Sequence, residues 1–225
     1  MQRGNTSLGQ LVTNNPAAAP VLHSFGLDFC CGGERTLSAA CEADGVDFES
    51  VTLALSEAGK LGDAEVPNFD AMSVQELIDY VIVRFHEPQV VEIDRLLDMY
   101  STVCRVHGKK WPEAVREIGA ALGGLAAELL PHFQKEEMIL FPMMIECDPQ
   151  GPLKPAIQRM LGEHDAAAEA LGRLVETIAK HPAPPDGCAA TDSLWAGMKE
   201  LDLDVRRHVH YENATLFPRA LAELG

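Results

Sequence analysis

Apolar residues recur every three or four positions along four long stretches of the chain, and each stretch predicts an amphipathic helix. Leu77, Val81, Val83, Val90, Ile93 and Leu97 mark the first, which runs from about Val74 towards His107. Ser73 and Glu76 open it with capping-box spacing, and Pro88 is expected to kink it. The second starts at Pro112 and runs through Ile118, Leu122, Leu125 and Leu129 to about Ile145, with a bend expected at Pro131. The third spans about Leu153 to Lys180, with Ile157, Met160, Leu161, Leu171, Val175 and Ile178 as its stripe. The fourth, capped by Thr191 or Asp192, passes through Leu194, Met198, Leu201 and Val205 to about Leu224. Few residues favour strands, so the pattern predicts an all-α protein built on a four-helix bundle over residues 73–225. Shorter amphipathic pieces predict a small helical domain over 1–60, and the polar, turn-rich residues 61–72 read as a linker.

The polar positions carry a repetition. HFQKEEMILFP, from His132 to Pro142, is echoed by HVHYENATLFP, from His208 to Pro218. On a helix, residues four apart share one face, so His132 with Glu136, and His208 with Glu212, each present an imidazole and a carboxylate together. A single His-xxx-Glu is more often a surface pair, but the same pair followed twice by Leu-Phe-Pro is harder to assign to chance. The first and third helices add His86 and His164, which lie 46 and 44 residues before His132 and His208. The bundle thus reads as a helix pair written twice, each half supplying one single His and one His-xxx-Glu.

Four imidazoles and two carboxylates are too many for a closed tetrahedral zinc site and suit two metal ions, each with two imidazoles and the two Glu side chains as bridges. Mixed nitrogen and oxygen ligation with open positions favours iron or manganese over magnesium or calcium, and iron is the expected metal. His107 lies 21 residues beyond His86, about 30 Å along a continuous helix, so a structural role is expected for it. His210 faces away from His208 on the helix. Glu163, next to His164, is read either as a group supporting a ligand or as a solvated carboxylate.

Composition narrows the function. The chain has 34 acidic and 18 basic residues, a formal charge of −16, and no basic patch to offset it, which argues against nucleic acid and anionic lipid as partners. Its apolar runs stop well short of the roughly 20 residues a membrane helix needs. No hydrophobic signal core follows the N-terminus, so a soluble cytoplasmic protein is expected. Of six cysteines, expected to be reduced, Cys30 and Cys31 stand out in FGLDFCCGGERTL, where a redox or sulfur-handling pair, a transient metal ligand and a structural turn all remain open.

DFCCGG, from Asp28 to Gly33, followed by the doubled His-xxx-Glu with Leu-Phe-Pro, resembles the repair of iron centres family across nearly the whole chain, with a hemerythrin-like domain as its bundle. The resemblance implies a di-iron protein, its two non-haem irons joined by an oxo or hydroxo bridge, with iron ligands at His86, His132, Glu136, His164, His208 and Glu212. It implies repair of iron–sulfur clusters damaged by nitrosative or oxidative stress, with iron donation as one route. Damaged or apo iron–sulfur proteins would be the partners, and nitric oxide, oxygen or peroxide the small ligands. A nitric oxide reductase-like enzyme and a sensor or store for oxygen, NO or iron are the alternatives. The role of Cys30 and Cys31 as redox thiols and the oligomeric state, a homodimer included, are left open.

Overall fold

A computed structural model describes residues 3–61 and 67–224, so the centre of the expected linker, residues 62–66, lies outside the described residues. The described elements are helical apart from one isolated bridge between Ser7 and Thr36. In order they are α1 (Leu8–Asn14), α2 (Ala18–Ser24), α3 (Leu37–Asp44), α4 (Phe48–Leu61), α5 (Val74–Val81), α6 (Glu87–His107), α7 (Pro112–Lys135), α8 (Phe141–Glu146), α9 (Leu153–Lys180), α10 (Ala189–Tyr211) and α11 (Phe217–Glu223). No described helix is long and apolar enough to cross a membrane. The chain forms two compact units: the described residues up to Ile78 together with Arg206–Glu223, and Asp79–Val205 with Leu224.

In the second unit Ile118, Leu122, Leu125 and Leu129 of α7, Ile157, Met160, Leu171 and Ile178 of α9, and Leu194, Met198, Leu201 and Val205 of α10 are buried as their spacing requires, but of the expected α9 stripe Leu161 is only half-buried and Val175 is exposed, with Leu174 buried beside it. The first helical stretch departs from expectation. Val83 and Val90 are exposed and Leu97 is only half-buried, whereas His86, Gln89, Ile93 and Leu96 are buried. A π turn over Ile82–His86, in which the amide of Glu87 bonds the carbonyl of Ile82 five residues back, carries the buried face of Leu77 and Val81 on to Ile93 and Leu96. Pro88 lacks an amide hydrogen and its ring would crowd the carbonyl four residues earlier, so the wider turn relieves the clash. One extra residue in that turn rotates everything after it by about a third of a turn. Of the expected stripe, Leu77, Val81 and Ile93 are buried and Val83 and Val90 are not, and the buried face beyond the turn is His86, Gln89, Ile93 and Leu96.

The same device recurs at the repeated phrase. Glu136–Leu140 and Glu212–Leu216 are also π turns, closed by the amides of Phe141 and Phe217 onto the carbonyls of Glu136 and Glu212, each just ahead of a proline, Pro142 or Pro218. Pro131, where a bend was expected, lies inside the continuous assignment of α7. α10 begins at Ala189, ahead of the expected caps Thr191 and Asp192, and the carbonyl of Cys188 accepts both of their amides.

In the first unit, Ser7 closes a capping box with Gln10 at the start of α1, and Thr36 caps α3. The DFCCGG segment is a turn wound around a carboxylate. Asp28 Oδ1 accepts the amides of Cys30 and Cys31 at 3.0 and 3.2 Å, and Oδ2 accepts that of Gly32 at 3.0 Å. A Cβ on Gly33 would stand 2.6 Å from the carbonyl oxygen of Phe29, so this position admits only glycine. Residues 206–223, expected to belong to the bundle, pack in this same unit. Thr13 Oγ1 meets His210 Nε2 at 3.2 Å, Asn213 donates to the carbonyl of Cys30, and Arg219 donates to the carbonyl of Met72.

Candidate metal centre

The centre is built around Glu136, the first residue of its π turn and fully buried. Its carboxylate faces His86 Nε2 at 3.3 Å, His132 Nε2 at 3.4 Å and His164 Nε2 at 3.8 Å, from three different helical segments of the second unit. In the first unit, His208 Nε2 and Glu212 Oε1 are 3.1 Å apart on successive turns of one helical stretch. All six residues singled out in the sequence are at least 96% buried.

The arrangement passes a simple test for a metal. A nitrogen and an oxygen bound to one ion at about 2.0–2.2 Å each lie roughly 3.0–3.5 Å apart. The 3.1, 3.3 and 3.4 Å pairs fall in that range and the His164 pair lies just beyond it. His132, Glu136 and His164 each offer a ligand atom within 4.8 Å of the others. His132 Nε2 is buried and makes no hydrogen bond, as expected of a nitrogen whose lone pair is kept for a cation. A buried carboxylate and buried imidazoles held this close make a donor set that fits a metal centre.

The other ring nitrogens show which tautomer is held. His86 Nδ1 lies 2.8 Å from Glu137 Oε1, and His132 Nδ1 lies 3.3 Å from Glu163 Oε2. With an acceptor there, Nδ1 carries the hydrogen and Nε2 turns its lone pair inward. Lys135 Nζ holds both Glu163 oxygens at 2.9 Å. Burial would raise the Glu163 carboxyl, but the hydrogen bonds from Lys135 and His132 outweigh it and bring it below its ordinary value. Glu163 thus holds the imidazole of a candidate ligand, the first of the two readings its position allowed. Glu137 was missed, although its place next to Glu136 in a doubled acidic pair was a usable signal. Glu137→Gln and Glu163→Gln are each expected to weaken metal binding about 10- to 100-fold with little loss of helicity, which competitive metal titration followed by circular dichroism would measure.

Aromatic rings fix the imidazoles sideways. His86 is stacked between Phe133 and Phe141, with ring centroids at 4.6 and 5.7 Å. The repeated Leu-Phe-Pro therefore has a part for each residue. Leu140 is buried, Phe141 walls His86, and Pro142 imposes the π turn that begins at Glu136.

Comparison with known proteins adds to this geometry. Residues 77–220 match the model of the hemerythrin HHE cation binding domain, and residues 4–59 match a domain of unknown function (DUF542). Over 225 aligned residues the chain is 35% identical to the iron–sulfur cluster repair protein YtfE of Yersinia pseudotuberculosis serotype IB (strain PB1/+), with 98% of this chain and 99% of the relative covered. The chain belongs to this family. The YtfE iron–sulfur cluster repair protein of Escherichia coli O8 (strain IAI1) is 34% identical over 216 residues, and that of Cronobacter sakazakii (strain ATCC BAA-894) 33%, each aligned over 96% of both chains. The family supplies an all-α, hemerythrin-like bundle with a small N-terminal domain, as the helical pattern predicted.

His210 and the cysteine pair lie outside the ligand set. His210 is buried against the Phe29 ring, edge to face at 5.9 Å, and burial pushes its imidazole down to about 4, so it is neutral at physiological pH. It faces away from His208, as its spacing required, and faces the DFCCGG turn. Cys30 is buried and donates its thiol to Asp28 at 3.1 Å. The neighbouring Cys31 thiol, burial and the Asp28 charge push the Cys30 thiol far up, so it stays protonated. Burial works against Asp28 as well, but the Cys30 thiol and the turn amides outweigh it and hold its carboxyl low. Cys31 is half-buried and is the more accessible thiol of the pair.

Proposed function

We propose that this protein repairs iron–sulfur clusters damaged by nitrosative or oxidative stress, using two iron ions held by His86, His132, Glu136, His164, His208 and Glu212 as one centre. The observation that carries the reading is the fully buried Glu136 carboxylate faced by three imidazole Nε2 atoms. One carboxylate with that many nitrogen donors suits a bridge between two ions, and Glu212, the first residue of an equivalent π turn beside His208, is assigned as the second bridge. Bound iron would supply redox chemistry and open positions for nitric oxide, oxygen or peroxide. The protein's own residues then have separate tasks. Glu137 and Glu163 hold the tautomers of His86 and His132, and Phe133 and Phe141 cover His86. Residues 1–60 are assigned as the thiol-bearing module and 73–225 as the metal-bearing one, acting in the cytoplasm on damaged or apo iron–sulfur proteins. Family membership and the names of the relatives support the repair reading.

The test is metal analysis and Mössbauer spectroscopy on anaerobically purified protein, followed by restoration of activity to an iron–sulfur enzyme inactivated with nitric oxide. Close to two coupled irons per chain and recovery of the enzyme are expected. A single uncoupled metal would overturn the bridged pair, and an intact centre that restores nothing would overturn the repair reading.

A further inference from the structure

A second cluster of reactive groups lies in the second unit and shares no residue with the metal centre. His107, at the end of α6, places Nε2 3.4 Å from the thiol of Cys188, the residue before α10. The imidazole is itself held by stacking on Trp111, with centroids at 4.5 Å and planes 22° apart. Thr191 Oγ1 lies 3.6 Å from the same sulfur, and Cys188 is exposed. A nucleophile within hydrogen-bond reach of a base that is oriented by a third side chain is the pattern of an activated nucleophile. We propose that Cys188 and His107 form a thiol–disulfide exchange site, at which small disulfides modify the protein reversibly and independently of its metal.

The step balances without a further oxidant. The Cys188 thiol passes its proton to His107 Nε2, and the thiolate attacks one sulfur of a disulfide R–S–S–R. The S–S bond breaks as the new Cys188–S–S–R bond forms, and the departing RS⁻ takes the proton back from His107 as RSH. The helix start favours the thiolate, because the amides of α10's first turn converge beside it. The His107 hydrogen bond, then those from Thr191's hydroxyl and amide, bring the Cys188 thiol down to about 6. The charged groups around the pair are Lys110, which lies over the Trp111 ring, and Asp186, ion-paired with Lys110. Glutathione disulfide serves as the probe.

The experiment follows Cys188 in the full-length protein by intact-mass and peptide mass spectrometry, with exposed Cys104 as the internal comparison. A lower pKa raises the thiolate fraction but weakens the nucleophile, so relative to an ordinary thiol the gain is about tenfold at pH 6 and is lost by about pH 8. Glutathione disulfide should therefore modify Cys188 about tenfold faster than Cys104 at pH 6, with the advantage gone at pH 8. H107Q should remove the pH 6 advantage without slowing the reaction at pH 8, a crossing that general loss of structure does not produce. Alkylation with iodoacetamide gives the pH midpoint independently: near 6 in the native protein and near the ordinary thiol value in H107Q. Equal rates and equal pH profiles for Cys188 and Cys104, or an H107Q profile that matches the native one, would overturn the proposal.

Discussion

Glu136→Leu should leave a well-folded protein that holds almost no metal. The carboxylate lies at 3.3–3.8 Å from three buried imidazoles, so its removal affects every ligand of the second unit at once. Removing a terminal His should instead loosen mainly one ion. The same substitution has an opposite effect on the metal-free protein. In the metal-free protein the Glu136 carboxylate is buried with no cation to offset it, and an apolar side chain of similar size removes that desolvation cost. Iron content near zero, with a metal-free melting temperature equal to or above that of the native apoprotein, is therefore the expected pair of results. A variant that kept two magnetically coupled irons would rule out Glu136 as a bridge. A variant that lost metal because it failed to fold would show Glu136 to be a structural residue.

The second large effect separates cluster repair from chemistry confined to the centre. Cys30→Ser with Cys31→Ser should leave iron content and the reaction of the purified protein with nitric oxide unchanged, while restoration of a damaged iron–sulfur enzyme is lost. Serine preserves the turn, because a hydroxyl at position 30 can still donate to Asp28 and the backbone bonds to that carboxylate do not involve sulfur. The two single variants should differ. Cys30 is buried and held as the neutral thiol, whereas Cys31 is half-buried, so Cys31→Ser should carry most of the loss. Full repair by the double variant would reduce DFCCGG to a structural turn. Loss of iron would place these thiols at the metal, against the ligand assignment.

Much of this molecule could be read from local periodicity. The stripes of α7 and α10, and that of α9 apart from Leu161 and Val175, were legible because the buried face of a regular helix follows its spacing, and Leu122, Leu171 and Leu201 are buried where that spacing puts them. The two His-xxx-Glu pairs were legible for the same reason, since four residues bring two side chains onto one face whatever surrounds the helix. Pro88 was read as a kink rather than as a π turn, and Pro142 and Pro218 only as the end of the repeated phrase. A proline announces that the helical bonding must change, but whether the chain bends or takes up an extra residue depends on what the neighbouring helices require.

That difference decided the first helical stretch. Val83, Val90 and Leu97 lie seven residues apart and look like a buried seam, yet Val83 and Val90 are exposed, and beyond the π turn at Ile82–His86 it is Gln89 and Leu96 that join the expected Ile93 in the core. Contacts between distant segments were equally out of reach. Glu163 meets His132 across 31 residues, Glu137 meets His86 across 51, and His107 meets Cys188 across 81. By itself the sequence determined which segments are helical, the residues offered as ligands and the turn at DFCCGG, because helix period, the i to i+4 spacing and the Asp-to-amide bonds all act within a few residues. Only the tertiary structure decided the rotation of each helix after its π turn, and with it which carboxylates back the imidazoles and which thiol meets a histidine, because those contacts depend on how separate segments pack.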